Sequence, residues 1–215
     1  MKQNTLHILE ELLFRYPMLE TCKDEINESF QILLECFQAG GKLLIAGNGG
    51  SDADSEHISG ELMKSFRFKH GVDEEFRSNM EKLYGDEGSN LCMHLESGVP
   101  VIPLPSLRSI SSAFSNDVDP TNIFAQLTYV IGCPEDVFLG ITTSGNSKNI
   151  VSAFKVAKAR GLKTICLTGM SGGVCKKISD ICICVPESET FKIQELHLPI
   201  YHALCSMIES ELFWM

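Results

Sequence analysis

The amino-acid sequence predicts an α/β protein with a doubly wound, five-stranded parallel sheet flanked by helices. Three observations lead to this fold class. Five short segments are apolar almost throughout, helical patterns separate most of them, and the chain has 215 residues, of which 44% are hydrophobic. Strands buried on both faces are typically apolar runs of this kind, and a chain of this length can bury a substantial core. The predicted strands are 42–46, 99–104, 136–141, 163–168 and 181–185.

Two helical patterns, 5–14 and 23–38, open the chain before the first strand. Pro17 separates them, and the pair Gly40 and Gly41 ends the second one. No linker-like or low-complexity stretch follows, so we expect one domain over the whole chain, 1–215.

The segment 65–98 interrupts the alternation of strands and helices. It mixes charged residues with glycine around a possible helix at 74–83. Long segments of this kind in compact domains are often functional. We therefore expect this excursion to cover the site or to contact a neighbouring subunit.

Two further helices are predicted, at 148–159 and at 190–213. Apolar residues recur three and four positions apart along the last one, as on a helix with one buried face. Gln194, His197 and His202 lie off that stripe, where the plain interpretation of each is a solvated or hydrogen-bonded surface residue.

Charge and cysteine content narrow the class of partner and the compartment. Lys and Arg number 18 against 28 Asp and Glu, a formal charge of −10. An acidic protein repels nucleic-acid backbones, no apolar run approaches the ~20 residues of a membrane span, and the start of the chain lacks the pattern of a secretion signal. Nine scattered cysteines fit a reducing compartment. We expect a cytoplasmic protein that binds neither nucleic acid nor membrane.

Two of these cysteines, Cys182 and Cys184, alternate in the last predicted strand and should face the same side of it. We interpret them as small apolar side chains of a buried strand, since two thiols alone make no metal site.

A glycine-rich turn follows the first strand and precedes a helical pattern. Glycines in such a turn let main-chain N–H groups approach a ligand closely, and the start of the helix adds partial positive charge. An anion such as a sugar phosphate is the expected guest, although a tight turn that needs glycine for geometry alone is the plain alternative. The residues of this turn are Gly47, Asn48, Gly49, Gly50 and Ser51.

A second turn of the same kind follows the third strand. It carries four hydroxyl groups, whereas capping the next helix needs only one. Hydroxyls together with helix N-terminal amides make a neutral cradle for phosphate. We therefore predict a phosphate site formed by Thr142, Thr143, Ser144 and Ser147 around Gly145.

His57 and Glu61 lie four residues apart in the helical pattern after the first turn, so they share a helical face. They could share a proton path or a metal ion there. Ordinary surface pairs at this spacing are common. This pair is a candidate functional pair because it lies in the helix that follows the glycine-rich turn.

The order and spacing of these motifs resemble the sugar isomerase (SIS) domain family and, within it, the phosphoheptose isomerases. The resemblance covers most of residues 35–213 and implies the SIS fold. It is carried by the first turn with Asp54, His57 and Glu61, by Asn116 and Asp117, by 142–147, by 167–169, and by 193–197 with His202.

The resemblance implies an aldose–ketose isomerase that interconverts sedoheptulose 7-phosphate and D-glycero-D-manno-heptose 7-phosphate through an enediol. In that family the position of Glu61 is the base and that of His202 the acid. Members are typically homotetramers with sites between subunits, and no nucleotide cofactor is expected. Positions matching Thr142, Ser144 and Ser147 hold the phosphate, and those matching Asn48, Ser51, Asp117 and Gln194 line the sugar.

Some members bind Zn²⁺ through the positions of His57, Glu61, Gln194 and His202. Eight residues of straight helix would separate Gln194 from His202 by about 12 Å, too far to grip one ion. The two could act at different points of the sugar, Pro199 could bend the helix, or a site could be shared across subunits. Glu61 would also be a poorer base as a metal ligand, so the two mechanisms compete for it.

Departures from the family pattern leave the identity of the sugar open. Ser65 stands four residues beyond the base, where family members commonly have an arginine. Before the Gln194 motif, Lys192 replaces the usual arginine, and Phe191 stands where some relatives carry aspartate. A non-catalytic SIS module that binds a sugar phosphate or a protein partner is the rival hypothesis, disfavoured because Glu61 and His202 are both present. The first turn lacks the last glycine of a dinucleotide fingerprint, and no P-loop lysine follows it.

Overall fold

The computed structural model describes residues 2–214 and forms an α/β structure around one parallel sheet. The strand order is β2-β1-β3-β4-β5, and every neighbouring pair is parallel. The strands are β1 (Leu43–Ala46), β2 (Val101–Pro103), β3 (Val137–Thr142), β4 (Lys163–Thr168) and β5 (Ile181–Cys184). The α-helices are α1 (Gln3–Arg15), α2 (Lys23–Gln38), α3 (Gly50–Leu62), α4 (Glu74–Cys92), α5 (Arg108–Asp117), α6 (Ile123–Ile131), α7 (Lys148–Ala159), α8 (Cys175–Ile178) and α9 (Thr190–Phe213).

The five predicted strands and the parallel sheet are confirmed, with ends that shift by at most two residues. Both faces of the sheet are covered, since each face has its own apolar cluster. One cluster lies under α1, α2, α3 and α9, and the other lies under α6 and α7. This double burial is why the strands are apolar throughout. No helix described between residues 2 and 214 is long and apolar enough to cross a membrane.

The last helix is buried on more sides than its apolar stripe indicates. It packs against α1, α2, α3 and β4. His197, interpreted from the sequence as a solvated or hydrogen-bonded surface residue, is 0% exposed, and this burial lowers its pKa to about 4. The apolar stripe did not predict the burial of His197, because neighbouring elements cover more than one face of this helix.

The excursion contains a longer helix than the sequence indicates. The helix predicted at 74–83 is α4, which begins at Glu74 and continues to Cys92, with non-helical backbone only at Gly85. Its buried residues are Gly88 and Cys92, so most of α4 lies exposed.

A buried carboxylate anchors the start of the excursion to α9. Glu209 is 3% exposed and accepts hydrogen bonds from the backbone N–H groups of Phe66 (2.6 Å) and Arg67 (2.9 Å). His70 Nε2 lies 3.1 Å from the same carboxylate. The His70 ring also stacks on Phe213 with centroids 4.2 Å apart. The segment 66–70 is therefore held against the last helix, on the side that carries His202.

Candidate active site

The two predicted turns lie side by side, because β1 and β3 are adjacent in the sheet and both turns leave at the carboxyl ends of these strands. Asn48 in the first turn and Asn149 at the start of α7 join them. Each side-chain amide donates to the other's oxygen, at 3.1 Å and 2.8 Å. The two turns are therefore neighbours, and a reciprocal amide pair fixes their spacing.

The hydroxyls of the second turn are not used to cap α7. Ser147 stands at the N-cap position without a side-chain cap, and its Oγ lies 3.1 Å from Thr142 Oγ1. Ser144 is exposed, and its Oγ accepts a hydrogen bond from the backbone of Asn146. The Thr143 carbonyl accepts from Gly169 N–H, which ties the turn to the end of β4. Ile150 N–H donates to Asn149 Oδ1, so the N–H groups of Lys148 and Asn149 are the ones at the start of α7 that remain available to an anion.

The helices α3 and α9 lie against each other and run in the same direction. The Gln194 side chain packs on Gly50 at the start of α3, where a Cβ would lie 2.4 Å from its Nε2. Eight residues further along α9, His202 meets His57, which is seven residues further along α3. The close packing of two parallel helices thus pairs residues that are about 145 positions apart in sequence.

His57, Glu61 and His202 form one cluster. His57 Nε2 lies 3.2 Å from Glu61 Oε1 and 3.4 Å from His202 Nε2. Within the described chain they are the one group of three or more His, Cys, Asp or Glu residues whose ligand atoms all lie within 4.8 Å of one another. Gln194 is not beside them, because seven residues of α3 separate its neighbour Gly50 from His57, about 10 Å of helix.

Two residues that sequence reasoning did not assign a role orient His57. Tyr201 Oη donates to Asp54 Oδ1 at 3.2 Å and lies 3.0 Å from His57 Nδ1. Because the tyrosine has one proton and gives it to Asp54, His57 Nδ1–H is the donor in the second contact. His57 Nε2 then presents a lone pair to the cluster. Asp54 is one of the residues that carry the family resemblance. Nothing in the sequence indicated a role for Tyr201 except that it precedes His202.

The electrostatics favour a neutral His202. Burial lowers its pKa first, the neighbouring His57 lowers it further, and Glu61 opposes both. Burial also raises the pKa of Asp54, while the hydrogen bond from Tyr201 lowers it. His57 Nε2 and Glu61 Oε1 face each other as acceptors at 3.2 Å, so this contact needs a shared proton or a cation between the two.

The donor set fits a zinc ion. Two imidazole nitrogens and one carboxylate oxygen are common zinc ligands, and three protein ligands leave a position open for substrate or water. The predicted fourth ligand, Gln194, contacts Gly50 at the start of α3, about two turns before His57.

The cluster is also distant from the turns within one chain. Glu61 is eleven residues beyond Gly50, about 16 Å along α3, and the backward lean of its side chain recovers only a few ångströms. The predicted sugar ligand Asp117 is exposed at the end of α5 and accepts a hydrogen bond from Asn116. The structure thus brings together two groups of candidate residues rather than one.

A cavity of about 330 Å³ opens beside His202. It lies between α1, α9 and the anchored segment, and its walls include Arg15, Phe66 and Arg67. The Phe66 ring is 5.6 Å from the His202 ring. The cluster is therefore reached by open space on the α1 side of His202.

Comparison with known proteins agrees with this fold and this set of residues. The SIS domain family matches residues 118–209, which include β3, β4, β5 and the second turn. The chain is 35% identical to the phosphoheptose isomerase of a Roseiflexus strain, over 91% of this chain and 86% of that protein. It is also 35% identical to phosphoheptose isomerase 2 of Campylobacter jejuni, over 96% and 91% of the two chains.

A solved structure supports the same relationship. A phosphoheptose isomerase from Francisella tularensis superposes with a TM-score of 0.75 at 29% identity, covering 91% of each chain. The chain belongs to the phosphoheptose isomerase family.

Proposed function

We propose that this protein is a sugar-phosphate isomerase that converts sedoheptulose 7-phosphate to D-glycero-D-manno-heptose 7-phosphate through an enediol. The observation that carries the proposal is the meeting of His57, Glu61 and His202 on two packed helices, in a member of this family. A carboxylate and imidazoles in contact are the groups that proton transfer between adjacent carbons requires.

In the proposed reaction Glu61 removes the proton from C1 of the ketose and returns it at C2. His202 exchanges a proton with the sugar oxygens as the carbonyl moves from C2 to C1. Because its pKa is lowered, His202 is neutral and has one N–H proton to donate to a sugar oxygen. It must take up a proton again before the next turnover. The adjacent Glu61 and His57 provide the path by which the proton returns.

The phosphate is held by the second turn in this proposal. The uncapped start of α7 and the hydroxyls of Thr142, Thr143, Ser144 and Ser147 offer donors without a lysine. Asn48, Gly49, Gly50 and Ser51 in the first turn, with Asp117 and Gln194, bind the sugar hydroxyls.

The site is shared between copies of the chain in a homo-oligomer, which we take to be a tetramer. A heptose phosphate extends about 10 Å from phosphorus to C1, given bonds of about 1.5 Å. This is shorter than the separation of about 16 Å between the turns and Glu61 along α3. A sugar held by the turns of one copy would therefore meet Glu61 of a second copy. The exposed apolar residues of α4, such as Phe76 and Leu83, are suited to such contacts.

Zinc is the ion that His57, Glu61 and His202 would hold, with Gln194 as a fourth ligand only from another copy. When bound, the ion supplies a positive charge that polarises a sugar carbonyl or hydroxyl. Metal analysis of purified protein should find zinc in the wild type and a loss of it in His57→Ala. Equal zinc content in both would assign the ion elsewhere.

The substitution Glu61→Gln tests the base. We expect it to abolish conversion of sedoheptulose 7-phosphate to an aldose while calorimetry still detects binding of the sugar phosphate. The matched control is Glu56→Gln, an exposed carboxylate on the same helix, which should keep full turnover. Turnover retained in Glu61→Gln would exclude Glu61 as the base.

Mixing two inactive variants tests the shared site. Glu61→Gln removes the base, and Ser144→Asp puts a negative charge in the phosphate cradle. If each site uses both copies, oligomers co-assembled from the two variants regain part of the wild-type activity. Absence of recovery in verified mixed oligomers would assign each site to one chain.

A non-catalytic SIS module is not favoured, because the base and the histidines are both present and in contact. We also propose that residues 1–215 act as one domain, since β1 and β2 pair in the same sheet as the strands of the matched region. A cytoplasmic location agrees with nine free cysteines.

A further inference from the structure

A second group of reactive side chains lies away from the proposed active site, on β4, β5 and α8. Cys182 and Cys184 project from the same face of β5, and their sulfur atoms are 3.6 Å apart. Cys166 on β4 is the register partner of Cys182, one strand spacing away. Cys182 and Cys184 are partly exposed, whereas Cys166 is fully buried.

The separation of the two sulfurs is that of a chelating pair. A centre about 2.3 Å from each sulfur, a typical metal–thiolate bond length, would make an S–centre–S angle of about 100°. This angle is close to the tetrahedral or pyramidal angle that such centres prefer. The pair can therefore bind a single atom without movement of the strand.

A disulfide between the same cysteines would be less well accommodated. Residues i and i+2 of a strand have Cα atoms about 6.6 Å apart, near the upper end of the range for disulfides. The sulfurs would also have to approach from 3.6 Å to about 2 Å. The strand thus holds the two thiols in a reduced, paired arrangement.

We infer that Cys182 and Cys184 form a dithiol site for organic trivalent arsenicals, soft centres whose coordination two thiols and one organic group complete. Hydrogen bonds from neighbouring thiols, first Cys166 and then Cys184, lower the pKa of Cys182, so its sulfur is the nucleophile. The hydrogen bond to Cys182 raises the pKa of Cys184, so Cys184 stays a thiol, and the Lys176 ammonium opposes this rise only in part.

Reaction with phenylarsine oxide is balanced without an oxidant. Two As–S bonds form, the arsenic–oxygen bond breaks, and the two thiol protons leave with that oxygen as one molecule of water. Arsenic and sulfur keep their oxidation states. Because the phenyl group occupies the third position on arsenic, two protein thiols complete the site.

The test is mass spectrometry of the full-length protein after incubation with phenylarsine oxide and excess glutathione, a competing monothiol. We expect the wild type to retain one phenylarsenic group and to release it to 1,2-ethanedithiol. Cys182→Ser and Cys184→Ser should each weaken retention by at least about 100-fold, the scale of a lost second attachment. Cys182→Ala and Cys184→Ala, checked for wild-type circular dichroism, repeat the measurement if a serine variant misfolds.

Two controls locate the site. Cys133 is exposed and belongs to no pair, so Cys133→Ser should retain the group as the wild type does. Cys166→Ala should also retain it, because Cys166 assists the pair without binding arsenic. Retention in a folded Cys182 or Cys184 variant, or loss in either control, would overturn the inference.

Discussion

Glu209 connects the excursion to the last helix, and its replacement by glutamine tests how strongly the segment 66–70, which includes the neighbour of His202, Phe66, is held there. The carboxylate is buried and accepts from two backbone N–H groups and from His70. Glutamine has the same shape but one acceptor oxygen. If that oxygen keeps the contacts of Oε1 with Phe66 and His70, the NH₂ group faces the N–H of Arg67, donor against donor.

The magnitude follows from these three contacts. Two hydrogen bonds lose their charge assistance, at about 1 kcal/mol each, and one buried N–H is left without an acceptor, at about 1–3 kcal/mol. The easier burial of a neutral amide offsets part of this cost. We expect Glu209→Gln to lower the free energy of unfolding by about 3 kcal/mol, equivalent to about 6–12 °C in Tm for a chain of this size.

Urea denaturation followed by tryptophan fluorescence is the assay. Trp214 is the single tryptophan of the sequence, and its ring packs against Phe68 of the anchored segment with centroids 4.7 Å apart. Trp214 is 45% exposed in the folded protein, and release of the segment should expose it further and shift its emission to longer wavelength before global unfolding. The control is Glu35→Gln, an exposed carboxylate on α2, which should stay within about 0.5 kcal/mol of the wild type. A Glu209→Gln protein with wild-type stability and emission would refute the reasoning.

Other predictions follow from single features of the fold. Burial lowers the pKa of His197 to about 4, so below about pH 6.5 the unfolded chain takes up a proton that the folded chain refuses, and stability falls as the pH decreases. His197→Leu should remove about 3 kcal/mol of the stability difference between pH 7 and pH 4 in urea titrations, and an unchanged difference would contradict the assignment. Gly145→Ala combines φ +67° with a Cβ 2.1 Å from the Gly172 carbonyl oxygen and should cost about 3 kcal/mol or more, whereas Gly40→Ala, at φ +79° in open space, should cost only about 1 kcal/mol. Equal losses in the two variants would mean that the turn relaxes. Asn149→Ala breaks both bonds to Asn48 and should raise KM for the sugar phosphate up to about 10-fold with little change in kcat, as steady-state kinetics can check.

The sequence predicted the sheet and most helices well because their patterns are local. β4 and α7 have the predicted bounds, as does α9, since each alternates or repeats its apolar residues within one element. The second half of α4 was missed, because Gly85 and its charged neighbours suggested a loop. The backbone there departs from helical angles at one residue and then resumes the helix.

The candidate site was only partly predictable. The motif residues were found from their spacing and family resemblance, and the position of both turns after strands followed from the strand pattern, whereas their adjacency came from the strand order of the sheet. The role of Tyr201 was not found, because a tyrosine inside a helix has no pattern that distinguishes packing from orientation of a neighbouring histidine. The burial of His197 was also missed, since helical periodicity reports one buried face and α9 has several.

By itself, the sequence determined the five strands and most of the longer helices, where the glycine and hydroxyl turns fall, and which residues can carry proton-transfer chemistry. It did not indicate α5, α6 or α8. Only the tertiary structure decided that His202 meets His57 across two helices and that Gln194 contacts Gly50, about two turns of α3 before His57. The physical reason is that local backbone preferences act over a few residues, whereas the packing of α3 against α9 joins positions about 145 residues apart. Such contacts depend on how whole faces fit together, which no short stretch of sequence contains.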